Sequence, residues 1–203
     1  MSTLNVTTLK HESAGVDNLV LDSSGNTIMP YGSSLSFNSP TNQYISADAN
    51  NLYLGTGNLY RIKVDTAGRV TMPYQPSFRA YLSAEWSTVS ATINSGWTTQ
   101  YDRGNNFNQG TFTAPVAGSY WFSIMWDSLS AQGAIELRVN GQPYARWEPT
   151  GRTDDSWESH YYSTPVYLQA SDFVTLYLST GGGSNPIHMG SGHWGHFGGY
   201  LIG

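Results

Sequence analysis

The stretch FTAPVAGSYWFSI, residues 112 to 124, decides the fold of this chain. Tyr120, Phe122 and Ile124 occupy every second position in it, which is the periodicity of a β-strand with one apolar face. Gly118 precedes them at a point where the chain needs a corner between two strands, because glycine permits close backbone approach. The stretch therefore predicts a strand that carries aromatic rings into a core.

The same alternation continues on both sides of this stretch. Before it, one face of a segment that lacks Gly and Pro carries Phe78, Ala80, Leu82, Ala84 and Trp86. After it, Ile135 and Leu137 alternate with charged residues and lead into VNGQP, whose Asn-Gly pair is the strongest short signal for a β-hairpin. Helical spacing is almost absent. We therefore expect an all-β protein.

A set of spaced residues resembles the signature of the complement C1q-like globular domain. Four residues follow the family's order of Phe, five residues, Gly, one residue, Tyr, one residue and Phe: Phe112, Gly118, Tyr120 and Phe122. The end of the chain, FGGYLIG, is similar to the family's closing strand. The resemblance covers residues 76 to 203. It implies a head with a tumour necrosis factor-like jelly-roll β-sandwich that forms tight trimers, with the C-terminal strand near the threefold axis.

The resemblance and the strand alternation together select the apolar residues that should hold the head together. The candidates for the core or the trimer interface are Phe112, Tyr120, Phe122, Trp126, Phe197, Tyr200 and Leu201.

The region of residues 1 to 75 differs from the head because it contains two similar stretches. LDSSGNTIMPY, residues 21 to 31, is matched by VDTAGRVTMPY, residues 64 to 74. The Asp-x-x-Gly of each copy suits a tight turn, and the following Pro ends a strand because it has no N–H to donate. Each copy is therefore predicted to be one hairpin module of a β-rich stalk.

Hairpin modules of this kind bury little apolar surface alone, and isolated hairpins are marginal in water. Identical copies around a threefold axis would supply the missing core and cover the strand edges. The alternative is a meander that packs against the C-terminal domain of its own chain.

Composition excludes several partners. Charged residues are only 11% of the chain, and the net charge is -5, so the basic surface that nucleic acid requires is missing. The chain has no cysteine, which excludes disulfides and thiolate metal sites. No apolar run approaches the roughly 20 residues of a membrane span, and the opening lacks the pattern of a secretory leader. We expect no membrane insertion, and a protein kept in a cytosol or released by lysis.

The layout resembles the tail fibres and fibre tips of bacteriophages, in particular those with openings similar to STLNVTTLKHESAGVDNLVLDSSGN. The resemblance implies a virion protein that is assembled in the cytoplasm of the host bacterium. Its N-terminal region would attach to other phage tail or baseplate proteins, and its head would contact a glycan or protein on the host surface. The alternative is a structural trimer of the virion, such as a head decoration or a baseplate component, that binds no receptor.

Aromatic residues make up 14% of the chain, which is more than one core of this size can hide. Flat rings beside turns can stack on sugar faces while neighbouring polar groups bond the hydroxyls. The alternative is that these rings pack in the trimer interface, where Tyr and Trp are also enriched. The candidate receptor-binding residues are Trp147, Trp157, Tyr161, Tyr162 and Trp194.

We expect no enzyme, no metal and no cofactor. A polysaccharide depolymerase would need two carboxylates about 5 to 9.5 Å apart in a cleft. The only dense acidic run, GRTDDSWESH at residues 151 to 160, is typical of a polar loop. The three histidines within residues 185 to 199 are His188, His193 and His196, and they lack the spacing of a recognised metal site.

Overall fold

The computed structural model describes ten segments of the chain: residues 8–9, 19–24, 26–29, 34–37, 43–86, 90–128, 134–148, 157–180, 187–189 and 194–203. Within these segments the regular structure is entirely β, which confirms the predicted fold class. They contain no helix long and apolar enough to cross a membrane. The chain divides into two compact units, Met1–Tyr74 and Gln75–Gly203.

The N-terminal unit consists of two antiparallel sheets. Its described strands are β1 (Thr8–Leu9), β2 (Leu19–Leu21), β3 (Thr27–Ile28), β4 (Ser34–Phe37), β5 (Gln43–Ala47), β6 (Asn51–Thr56), β7 (Leu59–Asp65) and β8 (Val70–Thr71). Strands β1 to β3 form one sheet, and β4 to β8 form a five-stranded meander. The two similar stretches of sequence contribute the hairpins β2–β3 and β7–β8.

An aspartate fixes the turn of each of these two hairpins. Asp22 Oδ1 accepts the backbone N–H of Asn26 at 2.8 Å, and Asp65 Oδ1 accepts that of Arg69 at 3.0 Å. The bond from the Arg69 N–H is the largest of the effects that lower the pKa of Asp65. Gly68 closes the second turn with a φ of 78°, which a residue with a Cβ adopts only under strain. The repeated aspartate thus has the same local role in both hairpins, which is to accept a backbone N–H across the turn.

One face of the five-stranded sheet is apolar and exposed. Strand pairing places one residue from each of four strands in a row across this face: Leu35, Ile45, Leu54 and Ile62. A second row on the same face contains Leu52, Val64 and Val70. Leu35 is 47% exposed and Val70 58% exposed. We call these seven residues the stalk face.

The second unit, which contains the head, is a β-sandwich. Its described strands are β9 (Ser77–Leu82), β10 (Ala91–Thr92), β11 (Trp97–Arg103), β12 (Phe107–Asn108), β13 (Thr111–Thr113), β14 (Gly118–Ser128), β15 (Ala134–Val139), β16 (Gln142–Trp147), β17 (Glu158–Leu168), β18 (Phe173–Ser179), β19 (Ile187–His188) and β20 (His196–Leu201). One sheet has the order β12-β13-β18-β15-β16, and β10 also pairs with β18. The other has the order β11-β9-β20-β14-β17, and β19 also pairs with β14.

Aromatic rings from both sheets meet in the core of the sandwich. Phe78 on β9 stacks on Phe107 and Phe112, with ring centroids 4.6 and 5.0 Å apart, and meets Phe197 edge-on at 5.0 Å. Strand β14 alternates as predicted, with its even-numbered aromatic residues buried. Five of the proposed core or interface residues are therefore core residues of the single chain: Phe112, Tyr120, Phe122, Trp126 and Phe197. Of the other two, Leu201 packs against the core, whereas Tyr200 is 50% exposed.

The predicted Asn-Gly hairpin connects β15 and β16. Asn140 has a φ of 52° and Gly141 a φ of 77°, and positive φ at both central positions is the requirement of the type I′ turn. The two strands pair from Ile135 opposite Trp147 to Val139 opposite Gln142. This element of the predicted fold is confirmed.

The tightest approach between β20 and the core gives a stability prediction. A Cβ at Gly199 would lie 2.7 Å from the buried ring of Phe122 and 3.1 Å from that of Phe78. We expect Gly199→Ala to lower the free energy of unfolding by about 1–3 kcal/mol, which is the usual cost of overpacking a core. Urea denaturation measures this change. Gly203→Ala is the control, because nothing lies within 4 Å of a Cβ at that position. Equal unfolding midpoints for the two variants would contradict this placement of β20.

Candidate ligand-binding site

A cavity of about 200 Å³ lies at the end of β14. Its lining residues are Glu85, Asp127, Trp157, His188 and Trp194, and we call it the indole cavity. Strand pairing builds it, since Asp127 is opposite Ser159 on β17 and opposite His188 on β19. Cross-strand partners point to the same side of a sheet, so Asp127 and His188 are neighbours in the cavity wall.

Three rings form the apolar part of the indole cavity. The His188 ring contacts both indoles, with centroids 5.8 Å from Trp157 and 5.9 Å from Trp194. The two tryptophans are 42% and 53% exposed. Exposed indole surface on a folded scaffold is available for stacking with a ligand.

Asp127 is the unusual polar residue of the cavity. It is only 3% exposed, and its Oδ1 atom has no hydrogen-bond partner in the described part of the chain. A buried carboxylate oxygen without a donor is costly, because burial removes the water that would otherwise bond to it. The second carboxylate, Glu85, is exposed. No Lys or Arg is among the described residues that line this cavity.

Two further histidines lie near this end of the sheet. His160 is buried, its Nε2 is 3.0 Å from Ser128 Oγ, and burial lowers its pKa more than the negative charges of Glu158 and Asp127 raise it. His196 is half-buried, and its Nε2 is 3.1 Å from Ser123 Oγ. Burial is the main cause that lowers the pKa of His196, and the Arg79 charge adds to it.

The indole cavity contains two of the five candidate receptor-binding residues, Trp157 and Trp194. Tyr162 instead stacks between Trp126 and Trp147, with centroids 5.6 and 5.5 Å apart, and Trp147 and Tyr162 both pack against the core. Tyr161 is 62% exposed on β17, with its ring 6.3 Å from that of His196. These three side chains are not among the residues that line the cavity.

Sequence reasoning missed the two carboxylates of the cavity. Asp127 follows the alternating run YWFSIMW directly, and a charged residue beside so apolar a segment was the available signal. Glu85 carried no such signal. Asp154, Asp155 and His193 lie outside the described residues. Among the residues that are described, no group of three or more His, Asp or Glu is placed to hold a metal ion.

A second depression has a volume of about 570 Å³ and a different lining. Its polar residues include Asn105, Asn106, Asn108, Thr111 and Ser171. It has neither an aromatic ring nor a charged side chain among its described lining residues, so its polar contacts with a ligand would be uncharged hydrogen bonds.

The side of the β14 sheet that faces away from the core is rich in aromatic residues. Its outward side chains include Tyr81, Trp121, Met125, Tyr161, Tyr167 and Tyr200, which we call the head face. Trp121 is paired with Tyr200, and Met125 with Tyr161, so these large side chains are adjacent. Tyr161, Tyr167 and Tyr200 are each at least half exposed.

Comparison with known proteins identifies the fold of the head. No protein-family model matches the chain, and no curated protein matches its sequence. The globular domain of zebrafish complement 1qA protein is 17% identical, with a TM-score of 0.52 over 64% of this chain and 98% of that one. Murine APRIL at pH 5.0 is 13% identical, with a TM-score of 0.50 over 63% of this chain and 99% of that one. The predicted C1q-like and tumour necrosis factor-like jelly roll is confirmed.

The two histidines with lowered pKa predict acid sensitivity. The folded protein binds a proton at His160 and His196 less readily than the unfolded chain, whose histidines keep the ordinary pKa near 6.5. The stability that these two histidines contribute is therefore fully present above pH 6.5. It is lost as the pH falls from 6.5 through the lower pKa values that they have in the folded protein. We expect the melting temperature to fall between pH 7.5 and 5.0.

Substitution of these histidines tests their part in the acid sensitivity. In a protein with His160→Gln and His196→Gln, the melting temperature should change less over the same range, because glutamine does not titrate. A decrease as large as that of the parent would assign the acid sensitivity to other groups. Scanning calorimetry at several pH values distinguishes these results.

Proposed function

We propose that this chain is the subunit of a homotrimeric bacteriophage tail fibre whose head binds a glycan receptor on the host surface. The observation that carries the proposal is the indole cavity, in which Trp157 and Trp194 hold exposed rings at the end of a rigid sandwich. Rigid β scaffolds with variable loops commonly serve recognition, since loops can change without unfolding the core. The proposed site is that of a binding protein and not of an enzyme.

Two exposed faces support self-association. The stalk face and the head face each present a continuous group of apolar or aromatic side chains to solvent. Monomeric proteins rarely expose large contiguous apolar patches. Identical chains in a closed ring would cover both kinds of face, and the resemblance to C1q-like domains favours a threefold ring.

The N-terminal unit has the second role in this proposal. Three copies of the stalk face would form one apolar core, and the N-terminal region would attach the trimer to other tail or baseplate proteins. The subunit would be assembled in the bacterial cytoplasm and carried in the virion. The sequence resemblance to tail fibres and the β-rich hairpin modules support this arrangement.

A second candidate, glycoside hydrolysis, has one specific observation in its favour. Glu85 and Asp127 line the same cavity, and such hydrolysis uses two carboxylates across a glycosidic bond. We favour binding, because Asp127 is almost fully buried and about 200 Å³ leaves little room for a sugar, its leaving group and a water molecule. Release of reducing sugar from host polysaccharide would instead support the hydrolase.

The proposed assembly predicts a particle of about 67 kDa, which is three times 22.2 kDa. Light scattering on the purified protein should give this mass, and a stable monomer at micromolar concentration would contradict the assembly.

Tyr200→Asp should dissociate the trimer, because three like charges would be desolvated together at a cost of several kcal/mol. Val116→Asp is the control, since Val116 is similarly exposed but lies in a turn. If Tyr200→Asp remains trimeric, the head face is not the interface.

Receptor binding predicts that adsorption and stability respond to different tryptophans. Trp157→Ala and Trp194→Ala should reduce adsorption of the trimer to host cells with little change in melting temperature. Trp126→Ala should cost about 3–5 kcal/mol of folding stability, because it leaves a large void in the core. Binding assays on host cells, combined with thermal melts, measure both effects. If the parent does not adsorb, or both cavity variants adsorb as well as the parent, the structural trimer replaces the receptor-binding reading.

A further inference from the structure

We propose that the indole cavity binds a positively charged ammonium group of the receptor, either an amine or a quaternary ammonium. This inference rests on the proposed function for its biological meaning, since it names the chemical group that the head would recognise. It follows from the lining residues, their burial and the size of the cavity.

The charges of the cavity favour a cation. Two carboxylates, Asp127 and Glu85, line it, and no Lys or Arg stands among its described lining residues. The Oδ1 atom of Asp127 is buried and has no hydrogen-bond partner in the described segments. A neutral sugar hydroxyl would donate a hydrogen bond but leave the buried charge without a counter-charge. An ammonium group supplies the charge, and a protonated amine also supplies N–H donors.

The buried His160, whose pKa responds to the Asp127 charge, does not replace this missing cation. The Asp127 charge raises the pKa of His160, but burial has the larger effect and lowers it. His160 therefore stays neutral near pH 7, and its Nε2 is already 3.0 Å from Ser128 Oγ. His160 therefore does not supply a cation for the Asp127 carboxyl group.

The rings of the cavity favour the same ligand. A cation above an indole face is attracted by the electrons of the ring, and aromatic cages are the usual sites for quaternary ammonium groups. Trp157 and Trp194 have exposed rings on the cavity wall, with His188 in contact with both. The carboxylates and indoles therefore attract the same chemical group.

The volume limits how much of the receptor can enter. Pockets for whole small molecules usually measure about 300–1,000 Å³. The indole cavity measures about 200 Å³, which is room for one substituent and not for an oligosaccharide. The ammonium group would enter while the rest of the receptor remained outside, across the exposed indole edges.

Titration calorimetry with paired probes tests the proposal on the full-length protein. Choline is compared with its neutral isostere 3,3-dimethylbutan-1-ol, and glucosamine with N-acetylglucosamine and glucose. At least one ammonium compound should bind about tenfold more tightly than its neutral partner, a difference of about 1.4 kcal/mol. Preference for choline indicates a quaternary headgroup, and preference for glucosamine indicates an amino sugar. Equal binding of charged and neutral probes, or no binding of any probe, overturns the proposal.

Variants locate the binding in the cavity. Asp127→Asn and Glu85→Gln keep the side-chain shape and remove the charge, and each should weaken ammonium binding at least about threefold. Trp157→Ala should abolish the selectivity. Glu85→Gln and Trp157→Ala alter exposed positions, so the test does not depend on the folding of the Asp127 variant. Glu148→Gln, an exposed residue outside the cavity, is the control and should bind as the parent does. Unchanged ammonium binding in all three cavity variants overturns the assignment.

Host adsorption separates this inference from the proposed function. A trimer that adsorbs to host cells but shows no ammonium selectivity supports the function and overturns the inference. A trimer that selects ammonium compounds but does not adsorb supports the inference and overturns the receptor-binding function.

Discussion

Packing of aromatic rings around Phe78 is the interaction on which the head depends. The rings of Phe107, Phe112 and Phe197 all lie within about 5 Å of it, centroid to centroid, and they come from both sheets of the sandwich. Stacked and edge-on pairs of this kind contribute about 0.5–1.5 kcal/mol each beyond the area that they bury. Because Phe197 belongs to β20 and also stacks on Phe122 of β14, with centroids 6.0 Å apart, these rings hold β20 against both β9 and β14. The core packing therefore also fixes the position of the end of β14, where Asp127 lies.

Periodicity predicted the buried face of the strands but not where each strand ends or what its polar side chains do. The alternation of apolar residues in the sequence continues beyond β9, yet the strand ends at Leu82 and Ala84 is exposed. Glu136 alternates with apolar residues as a surface residue would, but it is buried. Its carboxylate oxygens form ion pairs with a guanidinium nitrogen of Arg138 at 2.7 Å and one of Arg146 at 2.8 Å. Arg146 comes from the neighbouring strand β16, and the length of a strand also depends on its pairing partners, which the local alternation does not contain.

The candidate site was partly visible in the sequence for the same reason. The surplus of aromatic residues pointed to Trp157 and Trp194, because rings that no core can hold must lie at a surface. The surplus could not separate them from Tyr162, whose stacking against Trp126 follows from the pairing of β14 with β17. Asp127 and Glu85 line one cavity because Trp86, next to Glu85, bridges Ile187, and β19 pairs in turn with β14. The sequence therefore predicted which kinds of residue form the site, whereas only the fold showed which of them lie close together.

The proposed ammonium site and the proposed trimer are energetically compatible. A site that held one ammonium group through two rings and two carboxylates would make few contacts, and part of their gain would be lost in ordering the ligand. The sandwich would limit that loss, since Asp127 is already buried and held on β14. In the proposed trimer, three equal sites would raise the overall affinity by a factor on the order of 10² to 10⁴ through effective concentration. A buried carboxylate that costs stability in the free protein is consistent with selection for binding, because structure at a functional site commonly sacrifices local stability.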